Sequence, residues 1–144
     1  MTVIAWDGET LAADRRSTRS GSIAVVRKIF AIGNLRCGFA GASDFASALR
    51  VWVERGRKEE DFPRSQEKDD YAIALVIEGS RILCYDRTPH PVEIFSKFYA
   101  VGSGKDAAMG AMLSGMNASQ AVEIASQVDE CCGNGVDSLG RLHV

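Results

Sequence analysis

Thr2 directly follows Met1, and a small second residue is the usual substrate for methionine excision. Excision would leave an α-amino group and a γ-hydroxyl on one residue. The hydroxyl is a weak nucleophile at its own pKa, whereas an α-amino group titrating at about 7.7–8.0 serves as a base near neutral pH. Thr2 alone can therefore supply both halves of an acyl-transfer pair, although the same residue type also suits an ordinary first strand. Two other clusters invite chemistry and fail on spacing. Gly102-Ser103-Gly104-Lys105 lacks the earlier glycine of a phosphate loop, Tyr99 standing in its place, and Asp106 replaces the Ser or Thr that follows the lysine. Cys131 and Cys132 with His143, or Cys84 with His90, lack the paired spacing of a structural zinc site and read as buried or incidental thiols; no cofactor is expected to be required for the chemistry, and the sequence leaves a metal open.

The elements that would position Thr2 follow from hydrophobic patterning. Residues 2–6 and 9–13 are short β-prone runs divided by Asp7-Gly8, a tight-turn dipeptide, so the chain should open as a hairpin. A polar stretch from Arg15 to Ser22 leads to IAVVRKIFAI and, after Gly33-Asn34, to LRCGFAGA, giving four expected strands before any helix. Phe45, Leu49, Trp52 and Val53 recur at helical spacing, which predicts a helix over 44–56. Residues 57–70 carry dense charge of both signs and read as a surface loop. YAIALVI, RILCYD, VEIF and FYAVG then read as the strands of a second sheet. Helices are predicted over 106–113 and again beyond Asn117, where Gln120 completes a capping box, with a last strand over 136–139.

Strands in blocks separated by helices do not alternate as βαβ units would, which favours antiparallel sheets faced by helices. The 144 residues, 46% hydrophobic and 25% charged, suit a single domain over 1–144. A formal net charge of -2 gives no overall basic field, so neither nucleic acid nor an anionic membrane is an expected partner. No run approaches the length of a spanning helix, no signal segment is evident, and the four cysteines make a poor disulfide framework. A cytoplasmic protein is expected.

Several segments, taken in order, resemble the β subunits of proteasomes and the related bacterial ATP-dependent peptidase rings. Thr2-Val3-Ile4 with Asp14-Arg15-Arg16-Ser17-Thr18 is similar to the family's N-terminal threonine strand and the acidic residue after it. Lys28-Ile29-Phe30 resembles the strand bearing the catalytic lysine, Gly38-Phe39-Ala40-Gly41 the strand whose glycine N–H forms the oxyanion hole, and Gly102-Ser103-Gly104 the turn that supports the nucleophile. Asp129, followed by Cys132-Gly133, resembles the segment that orients the threonine amine, with Cys132 where the family has serine. Singly, Asp14 and Lys28 would read as solvated charges and Ser103 as a turn residue; their joint order gives them weight.

The resemblance implies an α+β fold, a four-layer αββα sandwich of the N-terminal-nucleophile hydrolase type with a shortened helical layer. It implies a threonine-type endopeptidase with Thr2, Asp14, Lys28, Gly38, Ser103 and Asp129 as catalytic residues, Gly38 being the oxyanion donor. Independently of the resemblance, an ammonium near a hydroxyl favours its deprotonation and a carboxylate keeps that ammonium charged and oriented. The implied partners are a polypeptide substrate, further copies of the chain in a homo-oligomer, and an ATP-dependent unfoldase. No propeptide is expected ahead of Thr2, which leaves methionine removal as the one exposure step expected. The second helix usual between the two strand blocks is replaced by the charged residues 59–70, and Cys132 is a poorer hydrogen-bond donor than serine. Two rivals remain open on these residues: a small-molecule amidase with a more open site, and a catalytically silent assembly subunit.

Overall fold

The computed structural model describes residues 2–64 and 71–141. Its first hairpin joins β1 (Ile4–Trp6) to β2 (Thr10–Asp14) in the register Ile4 opposite Ala13. Gly8 takes φ +98°, and the Asp7 carboxylate accepts the N–H groups of Glu9 and Thr10 at 2.8 and 2.7 Å, which closes the turn. The polar stretch, to which the sequence assigned no element, joins the start of the following run in a second hairpin, β3 (Arg16–Arg19) and β4 (Ser22–Val25). This pair buries little, so its residues carry no apolar alternation by which to announce strands. The expected continuous strand through IAVVRKIFAI is broken at 26–28, and β5 (Ile29–Ile32) starts only after Lys28. With β6 (Leu35–Gly41), six strands rather than four precede α1 (Ser43–Glu54).

After a 3-10 turn at Glu59–Asp61 come β7 (Ala72–Glu78), β8 (Arg81–Tyr85), β9 (Val92–Ile94) and β10 (Tyr99–Val101). The chain then forms α2 (Lys105–Leu113), α3 (Ala118–Val128) and β11 (Val136–Gly140). One antiparallel sheet has the order β10-β1-β2-β11 and the other β5-β6-β7-β8-β9. β10 was expected in the second block's sheet; it crosses instead to pair with β1, Ile4 opposite Val101. Of the charged stretch 57–70, residues 65–70 lie outside the described residues, and the rest contributes more packing than its composition suggests. The Trp52 indole donates to the Lys58 carbonyl at 2.7 Å, and the Phe62 ring meets Trp52 edge-on at 4.9 Å.

Strand alternation sorts the core into three layers. Val3, Ala5, Ala12 and Ala100 face α2 and α3, whereas Ile4, Trp6, Leu11 and Ala13 face the opposite sheet. In the five-stranded sheet, Ala72, Ala74 and Val76 face α1 while Leu75 and Ile77 turn to the inter-sheet layer. Central strands buried on both faces explain the nearly unbroken apolar runs VIAW and YAIALVI. The result is the αββα sandwich, with α1 the one α-helix among the described residues on one face and the α2–α3 pair on the other.

The capping box read at Asn117 is present: its side chain accepts the Gln120 N–H at 2.9 Å, and Gln120 accepts the Asn117 N–H at 3.0 Å. Because Asn117 is exposed, Asn117→Ala should remove the cap alone and destabilise the fold by about 1 kcal/mol in urea titration.

Candidate active site

Asp14 ends β2 with its side chain fully buried and every acceptor direction used. Oδ1 accepts the Val3 N–H at 3.1 Å and the Lys28 ammonium at 2.8 Å. Oδ2 accepts the N–H groups of Arg16 at 3.1 Å and Gly133 at 3.0 Å. Asp14 and Lys28 are thus not the solvated charges their residue types suggest; Lys28 is only 7% exposed. A pair this deep persists because backbone dipoles from three segments add to the Coulomb attraction. The Lys28 backbone is fixed as well, its carbonyl accepting the Phe39 N–H at 3.0 Å, just where the chain enters β5.

Thr2 stands two residues before β1 and is 5% exposed. Its carbonyl accepts the Gly104 N–H at 3.2 Å and the Ser103 hydroxyl at 3.5 Å. Gly102 has φ +98°, and a Cβ there would come within 2.0 Å of the Thr2 carbonyl oxygen, so this turn admits no side chain at that position. Ser103 therefore supports Thr2 directly. Asp129 caps the end of α3, and its carboxylate is held below the usual range by the Ser103 hydroxyl and then by the Cys131 N–H, 2.9 Å away. Cys132 is buried beside them, Sγ 3.9 Å from Ser103 Oγ, and its thiol is pushed up to about 12 by burial and by the Asp14 charge.

Thr2, Lys28 and Ser103 line one cleft of about 1220 Å³, with Asp14 behind Lys28 and Asp129 behind Ser103. Gly38 is placed elsewhere. It lies in mid-strand opposite Ile29, where a Cβ would meet Ile4 Cγ2 at 2.8 Å, so its smallness admits Ile4 between the sheets. Strand alternation also directs its N–H to the β7 edge of β6, since Phe39 donates to the β5 side. The glycine of this strand that lines the cleft is Gly41, with φ +121°, where a Cβ would meet the Tyr71 carbonyl at 2.3 Å. By the same alternation its N–H returns to the Lys28 edge, beyond the start of β5. The parity of Cys37 and Phe39 against Gly38 and Ala40, together with the strand-to-helix junction after Gly41, is the signal in the sequence that separates the two glycines.

No protein-family model matches the chain, and no curated protein matches it. The fold is nonetheless well represented among solved structures. BPH of Thiobacillus denitrificans in complex with epoxomicin is 23% identical over 97% of both chains, with a TM-score of 0.72. The same BPH alone is 22% identical over 96% of both chains at 0.70, and eukaryotic HslV from Trypanosoma brucei is 20% identical over 99% of both chains at 0.74. The αββα architecture of this chain is therefore the fold it shares with BPH and HslV.

Removing Asp14 strips partners from three backbone N–H groups and leaves a buried ammonium, whereas removing Lys28 leaves Asp14 its three backbone donors. Asp14→Ala should cost about 3–5 kcal/mol, and Lys28→Ala distinctly less, in parallel denaturant melts. Cys132 and Cys37, whose thiols are both raised to about 12, should stay unmodified by iodoacetamide at pH 8 in the native protein. Rapid labelling of either before unfolding, read by peptide mass mapping, would contradict this packing.

Proposed function

We propose that this chain is a threonine-type peptidase acting through an acyl-enzyme on Thr2 once Met1 is removed. The observation that carries the reading is the buried Asp14–Lys28 pair ending in the same cleft as Thr2. A structural ion pair gains nothing from lining a cleft, and a surface cation gains nothing from burial; an ammonium placed to lower the pKa of a neighbouring hydroxyl needs both.

In the proposed reaction, Thr2 Oγ attacks the scissile carbonyl and its proton passes to the free α-amino group. The Lys28 ammonium favours the alkoxide character of Oγ, and Asp14 keeps Lys28 charged and oriented. The Gly41 N–H, rather than that of Gly38, receives the developing oxyanion. Collapse of the tetrahedral intermediate breaks the C–N bond, and the leaving amine takes the proton from the α-ammonium group. Water, deprotonated by the same amine, then hydrolyses the Thr2 ester and restores the hydroxyl. Ser103 and Asp129 are positioning residues: the first holds the Thr2 backbone, the second holds Ser103 and the adjoining loop. The proposed setting is a homo-oligomer fed by an unfoldase, and the fold likeness to HslV supports that reading.

Intact mass before and after exposure to a peptide epoxyketone tests the assignment, and the epoxomicin complex of BPH favours this class of probe. Loss of Met1 with one adduct on Thr2 is expected; retained Met1 without an adduct would leave a silent assembly subunit. Lys28→Ala should lower peptide turnover by on the order of 10²–10⁴-fold while circular dichroism stays native. Unchanged turnover in that variant would overturn the mechanism.

A further inference from the structure

The chain carries a net charge of -2, yet its Thr2 cleft is basic. Arg16, Arg19, Arg27, Lys28, Arg50 and Lys105 all contribute to the lining, against one acid, Asp44. Some of this charge is already engaged. Lys28 is on Asp14, Arg19 lies 3.6 Å from Asp44, and Arg50 lies 3.1 Å from Glu54 with its guanidinium over the Phe30 ring. Arg16 is tied to the Asn134 side chain and the Glu130 carbonyl, both at 2.7 Å, so it braces the loop over the site.

Arg27 and Lys105 are different. Both are exposed, both line the cleft, and neither has a carboxylate partner among the described residues. They approach Thr2 along two separate elements. Arg27 immediately precedes Lys28 at the entry to β5, and Lys105 opens α2 directly after the turn that holds the Thr2 carbonyl. Phe30 and Phe39 also border the cleft, but they belong to the sheet face packed on α1, and Arg50 covers the Phe30 ring, so the charge of Arg27 and Lys105 is the open feature beside Thr2. Two unneutralised cations on separate elements bordering the Thr2 cleft define a complementary ligand: an extended polypeptide with carboxylates to either side of the bond presented to Thr2.

We propose that this cleft selects acidic polypeptide segments, and that Arg27 and Lys105 are the residues that set the preference. The inference rests on the peptidase reading and names its substrate class. Attraction of this kind acts on encounter and on ground-state binding, is screened by salt, and amounts to a modest gain per exposed pair. Summed over two cations and two to four substrate carboxylates, about a tenfold preference in kcat/KM is expected at low ionic strength.

The test uses three internally quenched decapeptides that share an apolar centre and differ only in flanks of Glu, Ser or Lys, together with an uncharged peptide epoxyketone. The epoxyketone should modify Thr2. The Glu-flanked peptide should be cleaved about tenfold faster than the Ser-flanked one at 50 mM salt, with the Lys-flanked peptide slowest and the differences collapsing by 0.5 M salt. The double variant Arg27→Gln, Lys105→Gln should bring the Glu-flanked peptide down to the Ser-flanked rate. Thr2 modification with equal rates for all three peptides, or with the Lys-flanked one fastest, would overturn the acidic preference and leave the peptidase reading standing. Absence of Thr2 modification would remove both.

Discussion

The buried carboxylate of Asp14 is the constraint on which the site depends. It accepts N–H groups from Val3 at the head of β1, from Arg16 at the start of the β3–β4 hairpin, and from Gly133 in the loop after α3, and it binds Lys28 ahead of β5. Four segments far apart in the sequence therefore meet on two oxygens. A charged group so deep in the protein is tolerated only when its acceptor capacity is filled, and filling it fixes Thr2, Lys28 and the loop from 129 to 133 relative to one another. The same ion pair thus sets both the electrostatics of the cleft and the path of the backbone around it.

The glycines divide by what approaches them. At Gly102 the Thr2 carbonyl lies where a Cβ would be; at Gly41 the Tyr71 carbonyl does; at Gly38 it is the Ile4 side chain. The first two are backbone approaches at positive φ, which no side chain can relieve, and both border the cleft. The third is a packing accommodation between sheets. One residue type therefore serves site geometry and sheet packing within a single strand, and only its neighbours reveal which.

The thin face of the sandwich has its own logic. With α1 as its one described helix, the outer face of the five-stranded sheet is completed by Phe62, whose ring meets Trp52, and by Arg57, which bonds to Glu78 and to the Tyr85 hydroxyl. A charged segment that looks incapable of joining a core does so through one aromatic residue and the hydrogen bonds of one arginine.

The sequence by itself determined the order of most elements, because the short apolar β-prone runs TVIAW and YAIALVI, the helical stripe of Phe45, Leu49, Trp52 and Val53, and the Asn117–Gln120 capping box are local patterns that the fold merely has to respect. It also made Thr2, Asp14, Lys28, Ser103 and Asp129 visible as candidates through their order along the chain. Tertiary structure decided the rest. The β3–β4 hairpin buries too little to leave a hydrophobic signature, and the choice of Gly41 over Gly38 as the cleft-lining glycine depends on what stands across the strand. The transfer of β10 to the first sheet depends on a partner nearly a hundred residues away, Val101 opposite Ile4. The cleft's positive charge is likewise a property of assembly: a chain of net charge -2 gains a basic site only when folding gathers onto it more cations than carboxylates from separate elements.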